Sequence, residues 1–235
     1  MATLSITAHM TPDLFDSDVR IQHRAKLFYP SERPPLKIPV RGLYFHDQTR
    51  SAGRAYASQF SHFKATNIPI HVARRLFKKY MDEVLPRFPC FMEEDLDNYF
   101  ESFYGHGTLG QQQTTMPSFI VPMILAISSL TSNSHDFPKV AALSESLHAD
   151  ALENAQLLKT SSVASLQCLV LLIQLGLLLP HTANCWFITG EAMRMAVGLG
   201  LHQEPDPAII PDPAHAELRR RIFWTVRPHT QLIPS

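Results

Sequence analysis

The fourteen residues from Leu166 to Leu179, LQCLVLLIQLGLLL, constrain this chain more than any other stretch. Wound as a helix, they place Leu166, Leu169, Val170, Ile173 and Leu177 on one stripe and Leu171, Leu172, Leu175 and Leu179 around the rest. A helix that is apolar on every side has to be buried. It is also short of the ~20 residues that a bilayer span requires, and it carries Gln167, Gln174 and Gly176 inside it. The run therefore reads as a core helix wrapped by other helices, not as a membrane anchor. The 235 residues, 45% hydrophobic and 18% charged, suffice for one sizeable core of ordinary globular kind.

Two pieces follow it. In NCWFITGEAMRMAVGLGLHQ, Trp186, Gly190, Met193 and Val197 recur at helical spacing, which predicts that this face packs closely against a neighbour. Gly198-Leu199-Gly200 lacks a third glycine and follows a helix, so it is a helix stop and not a dinucleotide fingerprint. Asp212-Pro213 supplies an N-cap and a first helical residue for a third piece that carries Arg219, Arg220 and Arg221 ahead of Phe223-Trp224.

Upstream, residues 1–70 mix polar residues, prolines and scattered aromatics into an irregular basic arm, with a short strand expected at Gly42–His46 and a short helix at Arg54–Lys64. The first 90 residues hold 14 Lys+Arg against 7 Asp+Glu, net +7, and the remainder is net −7. The two parts are expected to attract each other or to face different partners. From His71, Val72, Leu76, Tyr80 and Val84 form a stripe that Pro86 and Pro89 terminate. Glu93 to Tyr104 makes the next helix, its first-turn acids favourably placed at the positive end of the dipole. Gly105 to Gln113 reads as a loop. A helix then begins near Val121, because Pro122 suits only a first turn. After a loop at Thr131–Phe137, a long helix from Val140 to Leu158 is expected to pack on the run that follows Ser162. No period-2 strand pattern and no fixed repeat stands out, so the fold class is all-α.

The three C-terminal pieces resemble the fungal-specific transcription factor domain, the regulatory middle region of zinc-cluster transcription factors. The residues that carry the likeness are Leu166-Gln167, Trp186, Gly190, Ala192, Arg194, Met195-Ala196, Leu199-Gly200-Leu201-His202, Glu217, Arg219-Arg220-Arg221 and Phe223-Trp224. LFKKYMDEVLPRFPCF, from Leu76 to Phe91, is similar to that domain's leading helix. The likeness covers about Arg74 to Arg227. It implies a multi-helix regulatory domain over 71–227 with a tail at 228–235. It also implies a nuclear role in transcription, another transcription factor or nuclear protein as partner, and a small-molecule effector as a further option. In the family, Thr225 onward would continue into further helices. Here Thr225-Val226-Arg227-Pro228-His229 departs from the pattern, which is read as a domain incomplete at its C-terminus, exposing apolar faces; a truncated relic is the bland alternative. Control of a secondary-metabolite gene cluster is the finer expectation.

Zinc is expected in full-length members, whose binuclear cluster needs six cysteines. This chain has Cys90, Cys168 and Cys185, unclustered, so neither a metal nor a direct sequence-specific DNA contact is expected. An odd number of cysteines, two of them in apolar helical stretches, points to a reducing compartment, and the N-terminus lacks a secretory pattern. Ala73–Tyr80, ARRLFKKY, reads as a solvated face before it reads as a phosphate patch or import signal. Glu217, three and four residues before Arg220 and Arg221, marks the arginines as structural. His148 and Asp150, with His202 or His215, have the spacing of a facial triad, but residues two apart on a helix do not share a face. Glu93, Asp97 and Glu101 share one, yet no second acidic motif accompanies them. Trp186 with Met193 or Met195 is core before it is pocket. A non-enzymatic regulator leads a small helical biosynthetic enzyme, which lacks convergent ionisable pairs, and a helical scaffold.

Overall fold

The computed structural model describes residues 63–105, 115–132, 136–180, 182–204, 210 and 212–231. The expected strand at Gly42–His46, most of the helix at Arg54–Lys64 and the loop after Gly105 lie outside the described residues. Seven α-helices and no strand occupy what is described, in agreement with the all-α expectation. They are α1 (Ile70–Lys79), α2 (Glu93–Gly105), α3 (Thr115–Thr131), α4 (Phe137–Leu152), α5 (Val163–Leu178), α6 (Cys185–Gly198) and α7 (Pro213–Gln231). No helix among the described residues is long and apolar enough to cross a membrane.

Side-chain caps set several starts. Ser162 Oγ accepts the Ser165 N–H at 3.1 Å, Asn184 Oδ1 the Phe187 N–H at 3.2 Å, and Asp212 Oδ1 the Ala214 N–H at 3.0 Å. Helix α1 widens into a π turn over Tyr80–Val84 and ends at the Leu85–Pro89 corner. Its buried stripe is Ala73, Phe77, Tyr80 and Val84; Val72 and Leu76 are only half-buried, so the inward face is rotated from the expected one.

The centre is α3. Every residue from Pro117 to Ser129 is buried, and α1, α2, α4 and α5 all pack on it. This corrects the expected start near Val121: the helix begins at Thr115, with Pro122 in its interior. An interior proline costs ~3 kcal/mol, whereas each fully buried Ile, Leu, Met or Phe contributes ~1.5–3 kcal/mol. Phe119, Ile120, Met123, Ile124, Leu125 and Ile127 together outweigh it. The expected long helix to Leu158 is also corrected. Helix α4 ends at Leu152, a turn follows, and a 3₁₀ segment at Ala155–Lys159 carries Leu158 into the core. Helix α4 packs mainly on α3, and the 3₁₀ segment that follows it packs on α5. The 3₁₀ turn Ala65–Asn67 is tied to α4 by Asp150, which accepts the Ala65 N–H at 2.8 Å.

Helix α5 is buried on nearly all sides, as its sequence demands. Its two glutamines are bonded across the core. Tyr80 Oη donates to Gln174 Oε1 at 3.0 Å, and Gln167 Nε2 donates to the Cys90 carbonyl at 2.7 Å. Burial raises both inner thiols, that of Cys90 to about 12 and that of Cys168 further, so they stay protonated. Helix α7 runs on through Pro228 to Gln231.

Candidate functional site

Helix α6 ends as its glycines predict. Gly200 takes φ 70°, the Leu201 N–H reaches the Ala196 carbonyl at 2.9 Å and the Gly200 N–H the Val197 carbonyl at 3.0 Å. This is the Schellman pattern, which leaves the Leu199 carbonyl to be satisfied from elsewhere. Arg219 does so. It is 8% exposed, and its Nη2 donates to the Leu199 oxygen at 2.9 Å, placing a cation at the negative end of the α6 dipole.

The three consecutive arginines therefore separate. Arg219 faces inward with Leu218, Ile222 and Val226. Arg220 Nη1 pairs with Glu217 at 3.0 Å, while its Nε and Nη2 hold both oxygens of Glu204, just past the α6 stop. Arg221 Nε donates to Glu217 at 3.0 Å. Hydrogen bonds from Arg220 hold Glu204 below its ordinary pKa, and those from Arg221 and Arg220 do the same for Glu217.

Beside these pairs lies an open groove of about 680 Å³. Pro86, Arg87, Phe88 and Pro89 of the α1 corner form one wall; Glu217, Arg220, Arg221, Trp224 and Thr225 of α7 form the other. Trp224 is 57% exposed, with the Arg227 guanidinium carbon 4.8 Å from its ring centroid and Phe223 edge-on to it at 5.8 Å. The resemblance takes in both Trp224 and the Pro-Arg-Phe-Pro corner that stops α1, but nothing in the sequence sets the two opposite each other.

The expected packing face of α6 is the open one. Trp186 is 64% exposed, Gly190 has open space where a Cβ would stand, and Met193 and Val197 are half-buried. Ile188, Thr189, Ala192, Met195 and Ala196 pack inward instead. Neither Trp186 nor Met195 lines the groove; Trp186 stands at the α5–α6 corner, where Leu177 and Leu178 are also exposed. Arg194 is exposed and pairs with Glu191, and His202 is exposed in the turn after α6.

The other candidates come apart in space. Arg74 pairs with Glu101 at 2.9 Å and Lys78 and Lys79 with Asp82 and Glu83, so the basic run of α1 is largely neutralised. His148 is buried and its imidazole is pushed down to about 4 by desolvation, while Asp150 turns to Ala65 and Lys64. Among the described residues no group of three His, Cys, Asp or Glu side chains is placed to hold a metal.

Comparison with known proteins follows the same outline. The family described as the fungal specific transcription factor domain matches residues 77–226, which takes in α1 from Phe77, the groove and α7 to Val226. An aurofusarin cluster transcription factor of Gibberella zeae is similar at 25% identity over 206 residues, 83% of this chain and 29% of that protein. The chain thus spans less than a third of that relative's length. No solved structure matches it.

Proposed function

Because the chain belongs to the fungal specific transcription factor domain family, we propose that it is the helical regulatory module of a nuclear transcription regulator. It acts without catalysis, through contact with another transcription factor or nuclear protein. The observation that carries this reading is the match over 77–226, and the geometry is compatible with it: a helical core, with ionisable groups paired at the surface and an open groove lined by Trp224 and Phe88. The relative's name extends the proposal to control of a secondary-metabolite gene cluster. A small molecule is a second class of effector, for which the same groove has room.

The test is a transcript profile of a strain deleted for this gene, compared with strains re-expressing the 235-residue chain or its Trp224→Ala variant. Loss and recovery of one coherent set of neighbouring transcripts, with weaker recovery by the variant, is the expected result. An unchanged profile accompanied by a missing metabolite would overturn the reading in favour of an enzyme.

A further inference from the structure

We propose that the Trp224 groove binds an acidic peptide segment of a partner protein, one that sets a large apolar side chain between carboxylates. The groove's surface is mostly apolar. Trp224 offers an exposed indole, and Pro86, Phe88 and Pro89 wall it from the other side. Prolines and a ring with two torsions lose little freedom when covered, so contact there is inexpensive in entropy.

The rim is basic. Arg87, Arg220 and Arg221 line the groove against the single carboxylate of Glu217. With Glu204, which grips Arg220 from outside, the three guanidiniums that line the groove meet two carboxylates. Arg87 is exposed and makes no ion pair among the described residues. Arg220 already shows the recognition mode, since it holds Glu204 through two nitrogens; planar guanidiniums bind carboxylates in this way. A nucleic-acid backbone would satisfy the arginines but leave the proline and indole surface without use. A purely apolar helix would bury Arg87 unpaired. An acidic peptide with a Leu or Phe anchor satisfies both.

The proposal deepens the regulatory reading, yet its test does not pass through transcription. The chain has two tryptophans, so Trp186→Phe leaves Trp224 as the sole indole reporter. The purified full-length variant is titrated with a synthetic peptide alternating Asp with Leu and Phe. The emission of Trp224 is expected to shift to the blue and saturate. Arg87→Glu is expected to weaken binding about tenfold or more, and raising salt from about 50 to about 300 mM to weaken it several-fold. Arg87 and Trp186 are exposed, so unchanged thermal unfolding of these variants separates lost binding from lost fold.

Three results would overturn the proposal: no shift with the acidic peptide, an equal shift with its Asn-for-Asp counterpart, or tighter binding of duplex DNA. A fourth is tighter peptide binding by the variant with Asp13, Asp16 and Asp18 changed to Asn, because the chain's own acidic stretch would then be the occupant. Absence of binding leaves the transcriptional reading standing, and an unchanged transcript profile leaves the binding result standing.

Discussion

Replacing Tyr80 by Phe deletes one oxygen from a fully enclosed part of the core, and its consequence can be worked through. The Tyr80 hydroxyl donates to Gln174 Oε1 at 3.0 Å, and both residues are buried, at 0% and 2% exposure. Once the hydroxyl is gone, the amide oxygen has no donor in its place, and an orphaned buried acceptor costs ~1–3 kcal/mol. Gln174 Nε2 already lacks a partner among the described residues. Gln174→Leu therefore strands the tyrosine hydroxyl at similar cost but relieves an existing penalty, and should be the milder single change. The double variant, Tyr80→Phe with Gln174→Leu, removes every polar atom of the pair and should return close to wild-type stability, since replacing both partners by apolar groups is nearly neutral. For a chain of this size ~1 kcal/mol moves Tm by about 2–4 °C. Tyr80→Phe should thus lower Tm by about 2–12 °C, and the second change should restore most of it. Thermal unfolding of the four proteins closes the cycle. If the double variant is destabilised by the sum of the singles, the two side chains are not coupled and the argument fails.

Four further outcomes follow from the same structure. Gly176→Ala should lose ~1–3 kcal/mol by overpacking, because the new Cβ would stand 2.4 Å from Cys185 Sγ and 3.1 Å from Ala183 Cβ; adding Cys185→Ala should recover part of that loss in chemical denaturation. Arg219→Met should cost about 2 kcal/mol by uncapping the Leu199 carbonyl, whereas Arg221→Met, at an exposed ion pair, should cost less than about 1 kcal/mol. His148, held at about 4 by burial against an ordinary 6.5, makes the unfolded chain the stronger proton binder between those values. Stability should therefore fall as pH drops through that window, by up to about 3 kcal/mol, and His148→Leu should flatten this limb of a pH-denaturation series. Cys90, raised by burial from 9 to about 12, acts at the other end: above pH 9 the unfolded thiol ionises first, so stability should decline there, and alkylation at pH 8 should spare Cys90 until the chain unfolds.

Much of the fold could be read from the residues. Helix α5 was clear because a run that is apolar all round has no other soluble solution, and the glycine stop of α6 followed from left-handed backbone that only Gly takes readily. The start of α3 was not legible, because proline rules describe a local cost and cannot weigh it against thirteen consecutive buried positions. The face of α6 was misread for a related reason. Trp186 and Met193 are the larger apolar residues, but Gly190 interrupts their face, while Ile188, Ala192, Met195 and Ala196 give a continuous surface that fits a neighbour closely. For the candidate site, the pattern Leu218, Arg219, Ile222, Val226 in α7 would have singled out Arg219 as the buried arginine. Nothing local marks Arg87 or Phe88 as a wall of the groove, since a wall supplied by a segment more than a hundred residues away is a property of the packing alone.

The two glutamines of α5 also act as an index. They lie seven residues apart, about two turns or ~10.5 Å along the axis, and each grips a different point of the segment that leads to and from the Pro86–Pro89 corner: Tyr80 before it, Cys90 after it. Hydrophobic contact alone would let that segment slide along a helix whose surface is leucine almost everywhere, because one leucine presents much the same face as the next. A slip of one residue, ~1.5 Å, would break both hydrogen bonds together. The width of the Trp224 groove is thus gauged from deep inside the protein, and alleles that widen or narrow it should arise at Gln167 and Gln174, both buried in the core.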